Sequence, residues 1–180
     1  MVEPWQRLDN SETTKIEQRT VVTKHFKLPS GDKIAFGTLH AEGRKSVGVV
    51  ALTPDNQVII ARQYRPGPEK VMDEIPGGAV NDGEELEAAI RREMLEETGY
   101  VPGNLTYLGP QCRDAYSNLT QHYFLATECT FTGQQHLDDD EFIEVVLMPV
   151  DEFLASAKAG NMGDPGAVLL AYDHLQSLLH

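Results

Sequence analysis

Six glutamates fall within fourteen consecutive positions, from Glu84 to Glu97, and their type and spacing could do chemistry. On a helix of about 100° per residue, Glu93, Glu96 and Glu97 point to one side within a single turn. Like charges at this spacing repel, and acids near the C-terminal end of a helix oppose its dipole. Such local conflicts are expected where a bound group compensates them. A hard divalent cation would do so, because Mg²⁺ prefers oxygen ligands and serves phosphate chemistry.

The same residues also fit an ordinary solvated helix face crossed by Arg91 and Arg92. Against this interpretation, Leu86, Ala89 and Ile90 make the acidic side apolar one to two turns earlier, whereas a solvated helix keeps its acids away from its apolar stripe. A Gly-Gly pair before the helix would let the backbone approach a ligand closely and turn carbonyl groups inward. On the helix alone, both interpretations stay open.

The whole segment from Gly78 to Tyr100 follows the pattern G-x5-E-x7-R-E-U-x-E-E-x-G-U, where U is a bulky apolar residue. Its fixed positions are Gly78, Glu84, Arg92, Glu93, Glu96, Glu97 and Gly99. This segment resembles the Nudix box, and every glycine, glutamate and arginine of that motif is present. Met94 and Tyr100 take its two apolar positions, a mild departure that touches packing rather than chemistry.

The resemblance implies an enzyme that hydrolyses the pyrophosphate bond of a nucleoside diphosphate linked to another group, with Mg²⁺ or Mn²⁺ as the cofactor. It assigns the metal ligands to Glu93, Glu96, Glu97 and the carbonyl of Gly77. Arg92 would pair with Glu84 and hold Glu93 in place. Glu93, Glu97 and Arg92 would thereby count among the catalytic residues, and the implied fold is the α/β/α Nudix sandwich.

The resemblance extends to one branch of this family. The stretches "RQYRP", from Arg62, and "DEIPGG", from Asp73, look like the ADP-ribose pyrophosphatase and nucleoside diphosphate sugar hydrolase branch. The branch implies that Arg65 binds a phosphate and that Glu74 contacts substrate or a second subunit. A surface salt bridge for Arg65 and a strand-edge charge for Glu74 are the structural alternatives. The branch also implies a homodimer with swapped N-terminal strands.

Two more predicted site residues lie after the box. Glu141 stands where the branch keeps a catalytic glutamate, and it would be the general base that deprotonates the attacking water. Asp139 and Asp140 are rivals because an acidic run permits a slip of one or two residues. Tyr116 either stacks on a base or sugar or simply packs. Ala115 occupies the place of a proline in classical ADP-ribose pyrophosphatases, so ADP-ribose is not expected to be the sole substrate; GDP-mannose is a second candidate.

The elements around the box predict an α/β protein: the α/β/α Nudix sandwich with a mixed sheet, plus a small N-terminal antiparallel β subdomain. We assign residues 1–43 to that dimerisation subdomain and 44–180 to the Nudix domain. A first hairpin turns at "PSGD", and a second joins the apolar runs 47–52 and 58–61. The box helix is predicted over 84–97, ended by Thr-Gly, and two further helices follow near the end of the chain.

Bulk composition narrows the possible partners. A net charge of -13 argues against a nucleic-acid partner, since such proteins usually carry a basic patch. Cys112 and Cys129 are isolated, which predicts reduced thiols and a cytoplasmic protein, and no apolar stretch reaches transmembrane length.

The alternatives to a nucleoside diphosphate sugar hydrolase are a nucleotide-sensing Nudix module without catalysis and a diadenosine-polyphosphate hydrolase. Turnover of nucleoside diphosphate sugars would separate the first alternative from an enzyme.

Overall fold

The structure is a computed structural model that describes residues 1–133, 135–137 and 141–179. The chain divides into two compact units, each described by itself below. The first unit comprises residues 1–45 and 112–120, and the second comprises 46–111 and 121–180. Asp139 and Asp140, the rivals for the general base, lie outside the described residues.

The N-terminal unit is built on an antiparallel sheet of three strands in the order β1-β2-β3. The strands are β1 (Gln6–Ile16), β2 (Arg19–Lys27) and β3 (Lys33–Leu39). The predicted hairpin at "PSGD" is confirmed, because β2 and β3 pair in continuous register and the Leu28 N–H closes the turn on the Asp32 carbonyl. The eleven-residue β1 was not predicted, since its side chains are almost all exposed and give no apolar alternation.

Two small sheets and three helices form the second unit, with a short β-ladder beside them. The elements in chain order are β4 (Lys45–Ala51), β5 (Gln57–Arg65), β6 (Lys70–Glu74), β7 (Gly77–Ala79), α1 (Leu86–Thr98), β8 (Tyr100–Val101), β9 (Asn104–Cys112), β10 (Thr120–Thr127), β11 (Thr130–Phe131), β12 (Ile143–Pro149), α2 (Val150–Lys158) and α3 (Pro165–Ser177). One sheet has the order β7-β4-β10-β9, the other the order β12-β5-β6, and β8 pairs with β11.

Alternate residues of the central strands enter two separate cores, which places helices on both faces of the sheets. On one side, Val49 of β4 and Ile59 of β5 pack with Met94 of α1. On the other side, the neighbouring residues of the same strands pack with Phe153 of α2 and Leu175 of α3. The predicted α/β/α sandwich is therefore confirmed, and both C-terminal helices lie where the sequence placed them.

Two details of the predicted elements are wrong. The predicted hairpin of the runs 47–52 and 58–61 does not extend beyond its turn. Leu52 bridges Val58 and the Thr53 N–H donates to the Gln57 carbonyl at 3.0 Å, but β4 and β5 belong to different sheets. Each strand is buried on both faces, so each takes other neighbours. Helix α1 begins at Leu86, two residues later than predicted, because Glu84 belongs to the preceding turn, where its carboxylate accepts the Asn81 N–H.

Candidate active site

The Gly-Gly pair of β7 brings backbone against a carboxylate of α1. Strand β7 pairs with β4, and a Cβ on Gly77 would lie 2.2 Å from the carbonyl oxygen of Val47. A Cβ on Gly78 would lie 2.4 to 2.6 Å from the carboxylate atoms of Glu93. A Cβ at position 77 would collide with backbone, and a Cβ at position 78 would displace the Glu93 carboxylate. The two glycines therefore allow the sheet edge to meet the acidic turn of α1, which carries Glu93, Glu96 and Glu97.

Glu97 is the most buried acid of the box, with 5% of its surface exposed. Its carboxylate accepts the Gly77 N–H at 2.8 Å. The pKa of Glu97 is raised to about 8, chiefly by burial; the nearby charges of Glu93 and Glu141 contribute to this rise, and the Gly77 hydrogen bond and Arg65 oppose it. Among the residues that the structure describes, none forms an ion pair with this carboxylate, and Arg65 acts on it only through its charge.

Glu93 lies one turn earlier on the same side of α1 and is half-buried. Burial raises its pKa, the hydrogen bond and charge of Arg92 oppose that rise, and Glu96 and Glu141 add to it. Glu141 thus lies near enough to Glu93 and Glu97 to act on both electrostatically. Glu93 and Glu97, two carboxylates with raised pKa values and Glu141 near both, form an arrangement that a bound dication would stabilise.

Arg92 connects the acidic turn to the loop before the helix. Its guanidinium donates to both oxygens of Glu84, at 2.9 and 3.0 Å, and to the carbonyl of Ala79 at 3.1 Å. The remaining nitrogen donates to Glu93 at 2.8 Å and to Glu96 at 2.9 Å. The predicted Arg92–Glu84 pair is therefore present, and it lowers the pKa of Glu84 to about 2. Arg92 fixes the orientation of Glu93 through a fork that lysine could not reproduce.

A loop after β11 caps the carbonyl end of α1, a contact that no pattern in the sequence predicts. The Gln135 side chain donates to the Glu97 carbonyl at 2.6 Å, and the His136 N–H donates to the Glu96 carbonyl at 2.9 Å. Gly99 closes the helix in the left-handed conformation, with φ of 72°. These donors satisfy carbonyls that a helix end leaves unpaired, in the turn where the carboxylates oppose the helix dipole. The two hydrogen bonds thereby fix the backbone of Glu96 and Glu97.

Arg65 and Glu74, predicted as separate substrate contacts, pair with each other. The Arg65 Nε donates to the two carboxylate oxygens of Glu74 at 3.0 and 2.9 Å, and Gln63 donates to the same group at 3.1 Å. Glu74 is only 8% exposed. Arg65 also lowers the pKa of Glu97, so the guanidinium charge acts on the carboxylates of the acidic turn. Glu74 is well placed to hold Arg65 there.

Tyr116 falls in the N-terminal unit rather than among the acidic residues. Its ring stacks on Phe36 with centroids 5.8 Å apart and an interplanar angle of 7°, and it remains 59% exposed. The structure thus shows the packing alternative for Tyr116. Its contact with substrate stays a prediction.

The donor chemistry of the acidic turn fits a hard divalent cation. Among the described residues, no three acidic, histidine or cysteine side chains already form a closed metal-binding group. Arg92 instead engages one oxygen of Glu93 and one of Glu96. The remaining donors are carboxylate oxygens, the ligands that Mg²⁺ prefers, and the buried Glu97 with its raised pKa is a group that a dication would return to the ionised form.

Other features bear on the remaining expectations. Cys112 is exposed and Cys129 is buried, and the two do not form a disulfide in the structure. Within the described part of the chain, no helix has the length and apolar character needed to cross a membrane.

Comparison with known proteins identifies the family. The NUDIX domain profile matches residues 43–168. An ADP-ribose pyrophosphatase of Bacillus subtilis (strain 168) is 33% identical over 125 residues, which cover 66% of this chain and 65%, just under two thirds, of that protein. A methanol dehydrogenase activator of Bacillus methanolicus is 31% identical over 140 residues, or 74% of each chain.

A solved structure described as an ADP compounds hydrolase has the same fold, with a TM-score of 0.79 at 22% identity, over 99% of this chain and 97% of that one. The matched segment of the NUDIX profile contains the Gly77–Gly78 edge, the Arg92 fork and the three clustered glutamates described above. The chain therefore belongs to the NUDIX domain family.

Proposed function

We propose that the chain hydrolyses the pyrophosphate bond of nucleoside diphosphate sugars, with ADP-ribose and GDP-mannose as the first candidate substrates, and releases a nucleoside monophosphate and a sugar phosphate. The observation that carries the proposal is the pair Glu93 and Glu97, held against the Gly77–Gly78 backbone with raised pKa values. The description of the Bacillus subtilis relative as an ADP-ribose pyrophosphatase supports the substrate class.

Mg²⁺, or Mn²⁺ in its place, would be held by Glu93, Glu96, Glu97 and the Gly77 carbonyl, where it would neutralise phosphate charge and favour ionisation of the attacking water. Arg92 orients Glu93, and the loop contacts to the Glu96 and Glu97 carbonyls keep the acidic turn in place.

In the proposed reaction, water attacks one phosphorus, the bridging P–O bond breaks, and the proton of the water passes to Glu141. The electrostatic influence of Glu141 on Glu93 and Glu97 supports this role, because a general base must lie within reach of the water. Arg65 would contact a phosphate and Tyr116 the base or sugar. The cytoplasmic location and the homodimer with swapped N-terminal strands (residues 1–43) remain part of the proposal.

The test is formation of nucleoside monophosphate and sugar phosphate from a panel of nucleoside diphosphate sugars, with Mg²⁺ and with EDTA. Glu93→Gln and Glu97→Gln should each lower kcat by about 100-fold or more, since each removes charge that stabilises the transition state. Glu87→Gln is the matched control, because Glu87 lies on the same helix but is exposed and pairs with Arg91. Near-normal turnover in both box variants would contradict the site assignment.

Two further outcomes decide between alternatives. Tight binding of the panel with no turnover by the wild-type protein would reject hydrolysis and favour a sensing module, an alternative consistent with the description of one relative as an activator. Glu141→Gln should lower kcat while leaving Mg²⁺ affinity nearly unchanged. If Asp139→Asn does so instead, the general base is Asp139. Hydrolysis in ¹⁸O-labelled water locates the attacked phosphorus.

A further inference from the structure

The N-terminal unit contains a cavity of about 730 Å³ that the proposed reaction does not use. Its walls come from the β1–β2 turn, the end of β3, the segment leading to β4 and the segment 112–120, all within this unit. Its charged and titratable lining residues are Arg19, His40, Arg44, Arg113 and Asp114. A volume of this size lies within the range of small-molecule sites, which is about 300–1,000 Å³.

The charge of the cavity is opposite to that of the chain. Three arginines line it in a protein with a net charge of -13 and only 15 basic residues. The one lining acid, Asp114, already accepts the Tyr116 N–H at 2.7 Å within its own loop. Arginines gathered in a concave surface concentrate positive potential, and their forked donors match the oxygens of a phosphate.

His40 lies in the cavity wall, and the charges of the three arginines act on its imidazole. Burial lowers its pKa, Arg113, Arg19 and Arg44 lower it further, and Asp114 opposes them. These effects favour the neutral imidazole, and its Nδ1 lies 3.0 Å from the Ser117 hydroxyl. A bound anion would reverse the effect of the arginines on this ring.

The backbone of His40, in the cavity wall, has a strained conformation that its hydrogen bonds hold in place. His40 has a φ of 66°, in the left-handed region that residues with a Cβ rarely adopt. Both of its backbone groups are paired, since its N–H donates to the Thr20 carbonyl at 2.8 Å and its carbonyl accepts the Asn118 side chain at 2.8 Å. Strained backbone that neighbouring residues hold in place is typical of ligand sites. Here, the strained backbone of His40 fixes the shape of one cavity wall.

We propose that this cavity binds the phosphate group of a phosphomonoester of about mononucleotide size, with Arg19 and Arg113 as the principal donors. Both guanidiniums belong to exposed residues at the cavity, so a phosphate can reach them without unfolding the unit. Inorganic phosphate presents the same chemistry. The proposal does not depend on catalysis, because no residue of the acidic turn lines the cavity.

The test is a titration of the full-length protein in EDTA at constant ionic strength, followed by calorimetry and by the His40 imidazole resonance in NMR, which His40→Gln identifies. The probes are AMP, ribose 5-phosphate and inorganic phosphate, with adenosine as the unphosphorylated control. Saturable binding of the phosphates should raise the pKa of His40. Arg19→Gln and Arg113→Gln should each weaken that binding about tenfold or more.

Arg7→Gln is the matched control, because Arg7 is in the same unit, carries the same charge and pairs with Glu42 outside the cavity lining. It should leave the affinity within about twofold. AMP bound more tightly than inorganic phosphate identifies the ester as ligand, and equal affinities identify the free anion; either result supports the site. Absence of saturable phosphate binding, equal binding of adenosine, or equal weakening by Arg7→Gln would overturn it. Loss of hydrolysis in Glu97→Gln with intact AMP binding separates this site from the proposed catalytic one.

Discussion

Replacing Glu97 with glutamine should stabilise the metal-free protein at neutral and alkaline pH, even though it should abolish activity. Glu97 is buried, and its pKa is raised to about 8 from an ordinary value of 4.5. A glutamine at this position keeps an oxygen that can accept the Gly77 N–H but has no charge to bury. The substitution therefore removes the cost of ionisation and leaves the hydrogen bond in place.

The magnitude follows from linkage between protonation and folding. Below pH 4.5, Glu97 is protonated in both states and contributes no pH dependence. As pH rises from 4.5 to 8, the unfolded chain loses the proton while the folded protein keeps it, so the free energy of unfolding falls by up to about 1.4 kcal/mol per pH unit. Above pH 8 the full loss is about 5 kcal/mol, an upper value, because the neighbouring acids share the titration.

The assay is urea denaturation in EDTA at pH 5, 6, 7, 8 and 9, on the wild-type protein, Glu97→Gln and Glu87→Gln. Wild-type stability should fall over this range, and the difference from Glu97→Gln should grow with pH. Glu87→Gln should follow the wild-type curve, since Glu87 is exposed. Added Mg²⁺ should stabilise the wild-type protein at pH 8 by mass action and stabilise Glu97→Gln much less.

Parallel curves for the wild-type protein and Glu97→Gln would refute the reasoning, because the buried carboxylate would then carry no ionisation cost. A wild-type curve that rises between pH 5 and 8 would refute it as well. Stabilisation of both proteins by Mg²⁺ to the same extent would show that Glu97 is not a ligand.

Three further predictions concern the positions that hold the acidic turn. Gly78→Ala should displace the Glu93 carboxylate and lower both Mg²⁺ affinity and kcat by about tenfold or more, whereas Gly67→Ala, where a Cβ meets nothing within 4 Å, should be neutral in the same kinetic assay. Arg92→Lys keeps the charge but not the forked contacts, so kcat should fall by about tenfold or more while the melting temperature changes by only a few degrees; an unchanged kcat would contradict the positioning role. Gln135→Leu should leave a helix-end carbonyl unpaired and cost about 1–3 kcal/mol in denaturant unfolding, and a cost near zero would show that water replaces the amide.

The chemistry of the acidic turn could be predicted from the sequence because helix geometry is local. Residues three and four positions apart share a face whatever the tertiary context, so Glu93, Glu96 and Glu97 could be grouped from their spacing alone. Glu85 and Glu87 precede this turn in the chain, and both are exposed. The hairpin predicted between 47–52 and 58–61 was wrong beyond its turn, because an apolar strand buried on both faces carries no signal for its neighbours.

By itself, the sequence determined the grouping of acidic side chains on one helix face, the glycines that the close approach requires, and the layered α/β fold. Only the tertiary structure decided how buried each carboxylate is and which backbone holds it. Gly77 and Glu97 are 20 positions apart, and Gln135 and Glu97 are 38 apart, so their hydrogen bonds depend on the packing of β7 and the loop after β11 onto α1. The same holds for the Arg65–Glu74 pair and for the arginine cavity, whose members come from distant segments. The burial of the carboxylates and their long-range hydrogen bonds follow from the packing of distant segments. The spacing of residues along the chain does not reveal that packing.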